Sequence, residues 1–341
     1  MARASETERD TKSRRSAAAG AHPAVSGRGA WGRAVLGGAV MAVALGAGNA
    51  LGERLVRVLG ADGWARQLLP AVLVSVLAVG GVRALRSAGR WAGRGRLGAG
   101  PPAAAVRAFL GGLAVTVSCA ALVLGAGTAA GWVRWSGLDP AAFGAFLTGN
   151  ALVALLLEAL PEETTLRGQA WAALRDRFGG VVSALGTTVV FLLVPAASTV
   201  VQAGTARLVG GDPSPVGPAP AGQDPWAYLV LLAVFGLTLV AARTVPCRAP
   251  LWTAIGTHLA FLSVNRIVFE GRERAAGWSA SVGPAHAAVL ELGYLVLTAA
   301  VFVAARWLSG RLRARAARRW VARARIPTST ARSAAPSGSS A

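Results

Sequence analysis

The stretch LLLEALPEETTLRGQAW, residues 155–171, sets Glu158, Glu162, Glu163 and Arg167 directly after a run of leucines. Ionisable groups at membrane depth are costly and are kept where they do a job, so these residues decide how the chain is read. The surrounding composition says that the depth is membrane depth. Hydrophobic residues make up 54% of the 341 residues and charged ones 15%, a mixture foreign to soluble domains. Predominantly apolar runs long enough to cross a hydrocarbon core of about 30 Å recur along the sequence. They fall at 34–52, 68–85, 108–133, 141–160, 181–203, 226–242, 251–269 and 286–305. The runs are continuous and lack a period of two, which predicts helices rather than barrel strands. The expected fold is therefore all-α, a polytopic integral membrane protein of about eight transmembrane helices.

Charge placement then orients the expected bundle. The net charge is +20, and every basic residue but Lys12 is arginine. With an even number of spans and both termini on one side, 27 lysines and arginines fall on that side and eight on the other. Basic residues near span ends are retained in the cytoplasm, so both termini are expected there, in a cell membrane. The charge thus reads as a topology signal and not as a nucleic-acid footprint. Residues 1–30 read as a disordered basic tail, 31–140 as the N-terminal transmembrane helices, and 141–308 as a helical membrane core. Residues 309–341 read as a basic segment that gives way to disorder, with anionic lipid headgroups as the expected partners of the basic tails. Cys119 and Cys247 sit in or beside predicted spans and suggest no disulfide framework.

Within the opening stretch, helical spacing lets Glu163 pair with Arg167 and stacks Glu158 with Glu162. A carboxylate with such neighbours can hold and deprotonate water, the step that peptide hydrolysis needs. The bland reading is an interfacial salt bridge at the end of a span. His286 and Glu291 form a second polar pair, five residues apart and poorly placed for one helix face.

The string EETTLRGQAWAALRDRFGGVVSALGTTVVFLLVPAAS, followed by LWTAIGTHLAFLSVN, resembles the CAAX-processing and bacteriocin-processing (Abi) family of intramembrane proteases over about residues 141–270. That family carries Glu-Glu-x-x-x-Arg, then Phe-x-x-x-His, then His-x-x-x-Asn or Asp on successive elements. Glu162, Glu163 and Arg167 match the first motif, Phe191 opens the second, and His258 opens the third. The resemblance implies Glu162 as the base that activates water, Glu163 and Arg167 as its organisers, and His258 as an electrophilic or metal-ligating group. It leaves zinc as a candidate cofactor and a peptide or prenylated protein segment as the substrate. Two positions depart from the pattern: Pro195 stands where the second motif has histidine, and Leu262 where the third has Asn or Asp. Neither residue can orient water or stabilise an oxyanion. Ser198, Thr199 and Asn265 are the nearest polar residues that could replace them.

The expectations that follow are an endopeptidase cutting near the cytoplasmic face, or a relative that keeps the fold without turnover. The second would act as a binding, immunity or partner protein. A small transporter is a third reading, supported only by helix number and scattered polar groups.

Overall fold

The computed structural model describes residues 26–88, 97–220 and 222–324, with side chains described as far as Arg318. Among the described residues there are eight helices and one pair of short strands. They are α1 (Gly27–Leu59), α2 (Gly63–Ser87), α3 (Pro102–Ala129), α4 (Pro140–Arg175), α5 (Gly180–Leu208), α6 (Pro225–Arg243), α7 (Pro250–Val268) and α8 (Pro284–Ala324). Strands β1 (Val133–Trp135) and β2 (Ala280–Val282) pair antiparallel, Val133 opposite Val282. Most of the two tails expected from the sequence, 1–25 and 325–341, lies outside the described residues.

Seven of these helices are long and apolar enough to cross a membrane, and the fold is that of an all-α polytopic membrane protein. The exception is α7, which carries Thr253, Thr257, His258, Asn265 and Arg266. Protein encloses it on several sides: α3, α4 and α6 all pack against it. A helix shielded in this way needs no lipid-compatible surface, so its polar residues can be spent inside the bundle.

Small residues set the helix spacing. Gly112 on α3 faces the Thr253 backbone of α7, while Gly256 on α7 faces the Phe109 backbone of α3, each too close for a Cβ. Gly46 does the same for α1 against the Ser198 carbonyl of α5. With no water to expel from between helices in lipid, such close approach is what dispersion contacts require.

Two expectations need correction at element boundaries. The third span stops at Ala129, four residues short of Val133, because Gly131 takes φ +75° and turns the chain into β1. Trp135 then stacks on Trp278 with ring centroids 4.4 Å apart, and Phe143 meets the same ring edge-on. The fourth span, expected to end at 160, instead runs on through the whole glutamate motif to Arg175. The motif is inside a helix because α1, α2, α5 and α7 all pack around it and give its polar groups partners.

Candidate functional site

Helix α4 is wound irregularly around the motif. Two stretches, Leu155–Ala159 and Glu163–Ala170, are π-helical, and they bracket Glu162. The first has a local cause. The Leu160 amide bonds the Leu155 carbonyl five residues back, so in that register the next donor, to Leu156, would come from residue 161. That residue is proline and has no N–H. The Leu156 carbonyl is instead taken by the hydroxyl of Ser75 on α2. The second stretch ends in the same way. The Trp171 amide bonds the Leu166 carbonyl, the return to α-helical register passes over the Arg167 carbonyl, and Arg243 Nε on α6 donates to it at 3.2 Å. Buried backbone carbonyls must be satisfied, so Ser75 and Arg243 hold the two bulges that phase the motif.

Glu163, Arg167 and His258 meet in the interior, exposed by 0%, 0% and 2%. Glu163 Oε1 lies 3.0 Å from His258 Nδ1 and 3.3 Å from Arg167 Nη1. One carboxylate thus serves a neighbour one turn along its own helix and a histidine 95 residues away. Aromatic rings wall the cluster: the Arg167 guanidinium sits 4.5 Å above Phe191, and Phe235 presents its edge to His258 at 4.8 Å while stacking on Phe261. Arg167 Nη2 also reaches the Gly236 carbonyl at 3.5 Å.

Glu162 lies beside this cluster, near enough for its charge to act on His258 and Arg167. It is half-buried, and its carboxylate hydrogen-bonds to none of the described residues. Glu158, expected to stack with Glu162, stays near enough for the two charges to interact, and it also reaches across to Arg266 on α7 in an ion pair. Arg266 also donates to Asn150 at 3.1 Å. Arg266 was missed in the sequence although a charged residue inside a predicted span is itself a signal. Arg243, at a span end, resembles any topology arginine and gave none.

The two departures from the family pattern are not repaired nearby. Phe191, not Pro195, lies at the level of Arg167, so position 195 is a further turn along α5. Ser198 and Thr199 donate back to the Pro195 and Ala196 carbonyls. Asn265 is bonded to Glu291 and Tyr294. Leu262 packs into the apolar core. His286 stacks on Trp132, while Glu291 accepts from Asn265. For zinc the donor set does not fit: His258 turns one ring nitrogen to Glu163, and among the described residues no three His, Cys, Asp or Glu side chains stand close enough to hold a metal ion. A catalytic zinc needs about three protein ligands.

A cleft of about 1600 Å³ opens at the end of the bundle formed by the α1–α2 turn and the α4 N-terminus. Trp64, Asn150, Leu157 and Arg266 are among its lining residues, so its floor lies about one turn short of Glu162. The opposite end is covered. Arg243 Nη2 donates to the Leu97 carbonyl at 3.1 Å, the Leu251 amide bonds the Gly98 carbonyl, and Leu97 packs beside Gly168. That covered end is the arginine-rich one, where α8 carries Arg306, Arg311, Arg313, Arg315 and Arg318. An opening toward the expected cytoplasmic face is thus not what the described residues present.

Fold and cluster together define a polytopic helical membrane protein with a buried Glu–Arg–His constellation. Residues 144–264, about a third of the chain, match the family model described as type II CAAX prenyl endopeptidase Rce1-like. The matched segment contains the glutamate motif and His258, and over these residues the chain is similar to that family of membrane endopeptidases. Neither the curated proteins nor the solved structures contain a significant match.

Proposed function

We propose that this chain is a family member that receives a peptide or prenylated protein segment in its cleft and does not cut it. The observation that carries this reading is the fate of the replacement candidates: Ser198, Thr199 and Asn265 all spend their polar atoms elsewhere. Glu162 therefore faces no second ring nitrogen from position 195 and no amide from position 262. A base without a group to stabilise the developing oxyanion lacks what is usually the largest contribution to such catalysis.

The competing reading is an endopeptidase with Glu162 as base, and the Glu163–His258 pair favours it, since a carboxylate on Nδ1 fixes the tautomer and leaves Nε2 available. A cleavage assay in proteoliposomes separates the two. Plain and prenylated peptides are presented to the native chain, to Glu162→Gln, and to the double variant Pro195→His/Leu262→Asn. Binding without cleavage by the native chain, with cleavage by the double variant, is expected. Native cleavage that Glu162→Gln abolishes refutes the proposal, as does the absence of both binding and cleavage.

The same proposal places the chain in the cell membrane with both termini cytoplasmic. The covered, arginine-rich end then faces anionic headgroups and the cleft faces outward. A cysteine at position 214, between α5 and α6, is expected to be labelled from outside intact cells; labelling from the cytoplasm alone refutes this orientation.

A further inference from the structure

Helices α4 and α7 are tied together at two levels. Glu163 meets His258; five residues earlier on α4, Glu158 meets Arg266, eight residues later on α7, so the two helices run antiparallel. The first tie is sealed, its side chains exposed by 0% and 2%. The second is open to the cleft: the Arg266 and Glu158 side chains are exposed by 13% and 24%, and Arg266 is part of the cleft lining. The cleft therefore ends on a guanidinium.

That guanidinium is firmly held but only partly used. Asn150 Oδ1 accepts from Nη1 at 3.1 Å. Asn150 is itself buried, with its amide directed at Ser263 Oγ 3.4 Å away, so the plane of the arginine head is fixed from one side. On the other nitrogen, Nη2, Glu158 accepts through Oε1 alone. A carboxylate can grip an arginine through two parallel N–H bonds, the arrangement in which that pairing is strongest and most specific. The resident carboxylate makes one. It is also near enough to Glu162 for the two charges to interact. Glu158 thus stands, on a tether, where a ligand carboxylate would bind better.

The rest of the cleft indicates what such a carboxylate is attached to. Trp64, Phe146, Val153 and Leu157 give the walls apolar surface. The lining also carries both signs of charge, Arg57 and Arg66 against Glu53 and Asp212, so net charge does not select an anion there. Selection falls to Arg266, whose fork of donors matches a carboxylate in shape as well as in sign.

We propose that Arg266, held by Asn150, binds a carboxylate at the end of an apolar chain, the free C-terminus of a peptide segment, and that Glu158 is its built-in competitor. The incoming carboxylate takes the guanidinium edge, and Glu158 turns back toward Glu162, one turn along α4. The inference rests on the reading that the cleft receives a segment, and it names the end by which that segment is held.

The experiment is fluorescence anisotropy of a dye-labelled apolar peptide binding to the full chain in lipid nanodiscs, with the peptide presented as the free acid and as its C-terminal amide. The native chain is expected to bind the acid at least about tenfold more tightly, which a charge-assisted bond supplies. Arg266→Gln should remove that preference. Glu158→Gln should tighten binding of the acid and leave the amide unchanged, which a merely structural ion pair would not do. Should Arg266→Gln fail to fold, the double variant Glu158→Gln/Arg266→Gln, which leaves neither charge of the pair behind, is read in its place. Equal affinity of the native chain for acid and amide, or a preference that survives the loss of Arg266, overturns the proposal and leaves the binding reading standing; no binding of either form overturns both. Unlabelled palmitate distinguishes a lipid carboxylate from a peptide one: displacement of the labelled acid by palmitate as readily as by unlabelled peptide overturns the assignment to a peptide end.

Discussion

Replacing Glu163 with leucine removes one carboxylate and strands two partners. Arg167, fully buried, loses the group 3.3 Å from its Nη1, and His258 loses the acceptor 3.0 Å from its Nδ1. Breaking a buried pair from one side costs about 3–5 kcal/mol, because an uncompensated charge remains inside. Replacing both members with apolar residues of similar volume is often neutral or stabilising. Glu163→Leu alone is therefore expected to destabilise by about 3–5 kcal/mol. Glu163→Leu/Arg167→Met should recover most of that loss, giving a coupling energy of at least about 2 kcal/mol. Arg167→Met alone leaves Glu163 with His258 as a remaining partner and should cost less than Glu163→Leu. The assay is reversible unfolding in mixed micelles, followed by tryptophan fluorescence, for the native chain, both single variants and the double. A Glu163→Leu variant within about 0.5 kcal/mol of native, or losses that simply add, would refute the claim that Arg167 is held inside by that carboxylate.

Two other perturbations test how the site is held. Ser75→Ala removes the donor to the Leu156 carbonyl and should cost about 1–3 kcal/mol, with faster amide exchange confined to the first bulge of α4; unchanged exchange there would show that the bulge needs no clamp. Gly149→Ala puts a methyl group where the Trp64 ring lies and should swing that ring out of the cleft wall, read as a shift in tryptophan emission and faster quenching by a soluble quencher; native emission and quenching would mean that α2 and α4 yield instead of the ring.

Much of the fold is legible without coordinates because hydrocarbon is a demanding solvent. It requires continuous apolar runs of about the right length and backbone bonds closed within each run, so eight helices follow from runs such as 34–52 and 181–203. The exact ends were harder. A proline or a glycine acts through bonds whose partners lie elsewhere: Gly131 ends α3 early, and Pro161 reshapes α4 without ending it.

For the site, the division is sharper. Sequence by itself determined the membrane class, the helix count, the Glu163–Arg167 pairing within one turn, and the gaps in the family pattern at Pro195 and Leu262. Each of these rests on composition, on residue identity or on the helical period, which fixes neighbours three and four residues apart. Tertiary structure alone decided that Glu163 joins His258, that Glu158 pairs with Arg266, that Ser75 and Arg243 close the two bulges, and that the cleft opens away from the arginine-rich end. Those partners lie on other helices, and how the helices face one another is set by packing at small residues such as Gly112 and Gly256, which no local pattern encodes.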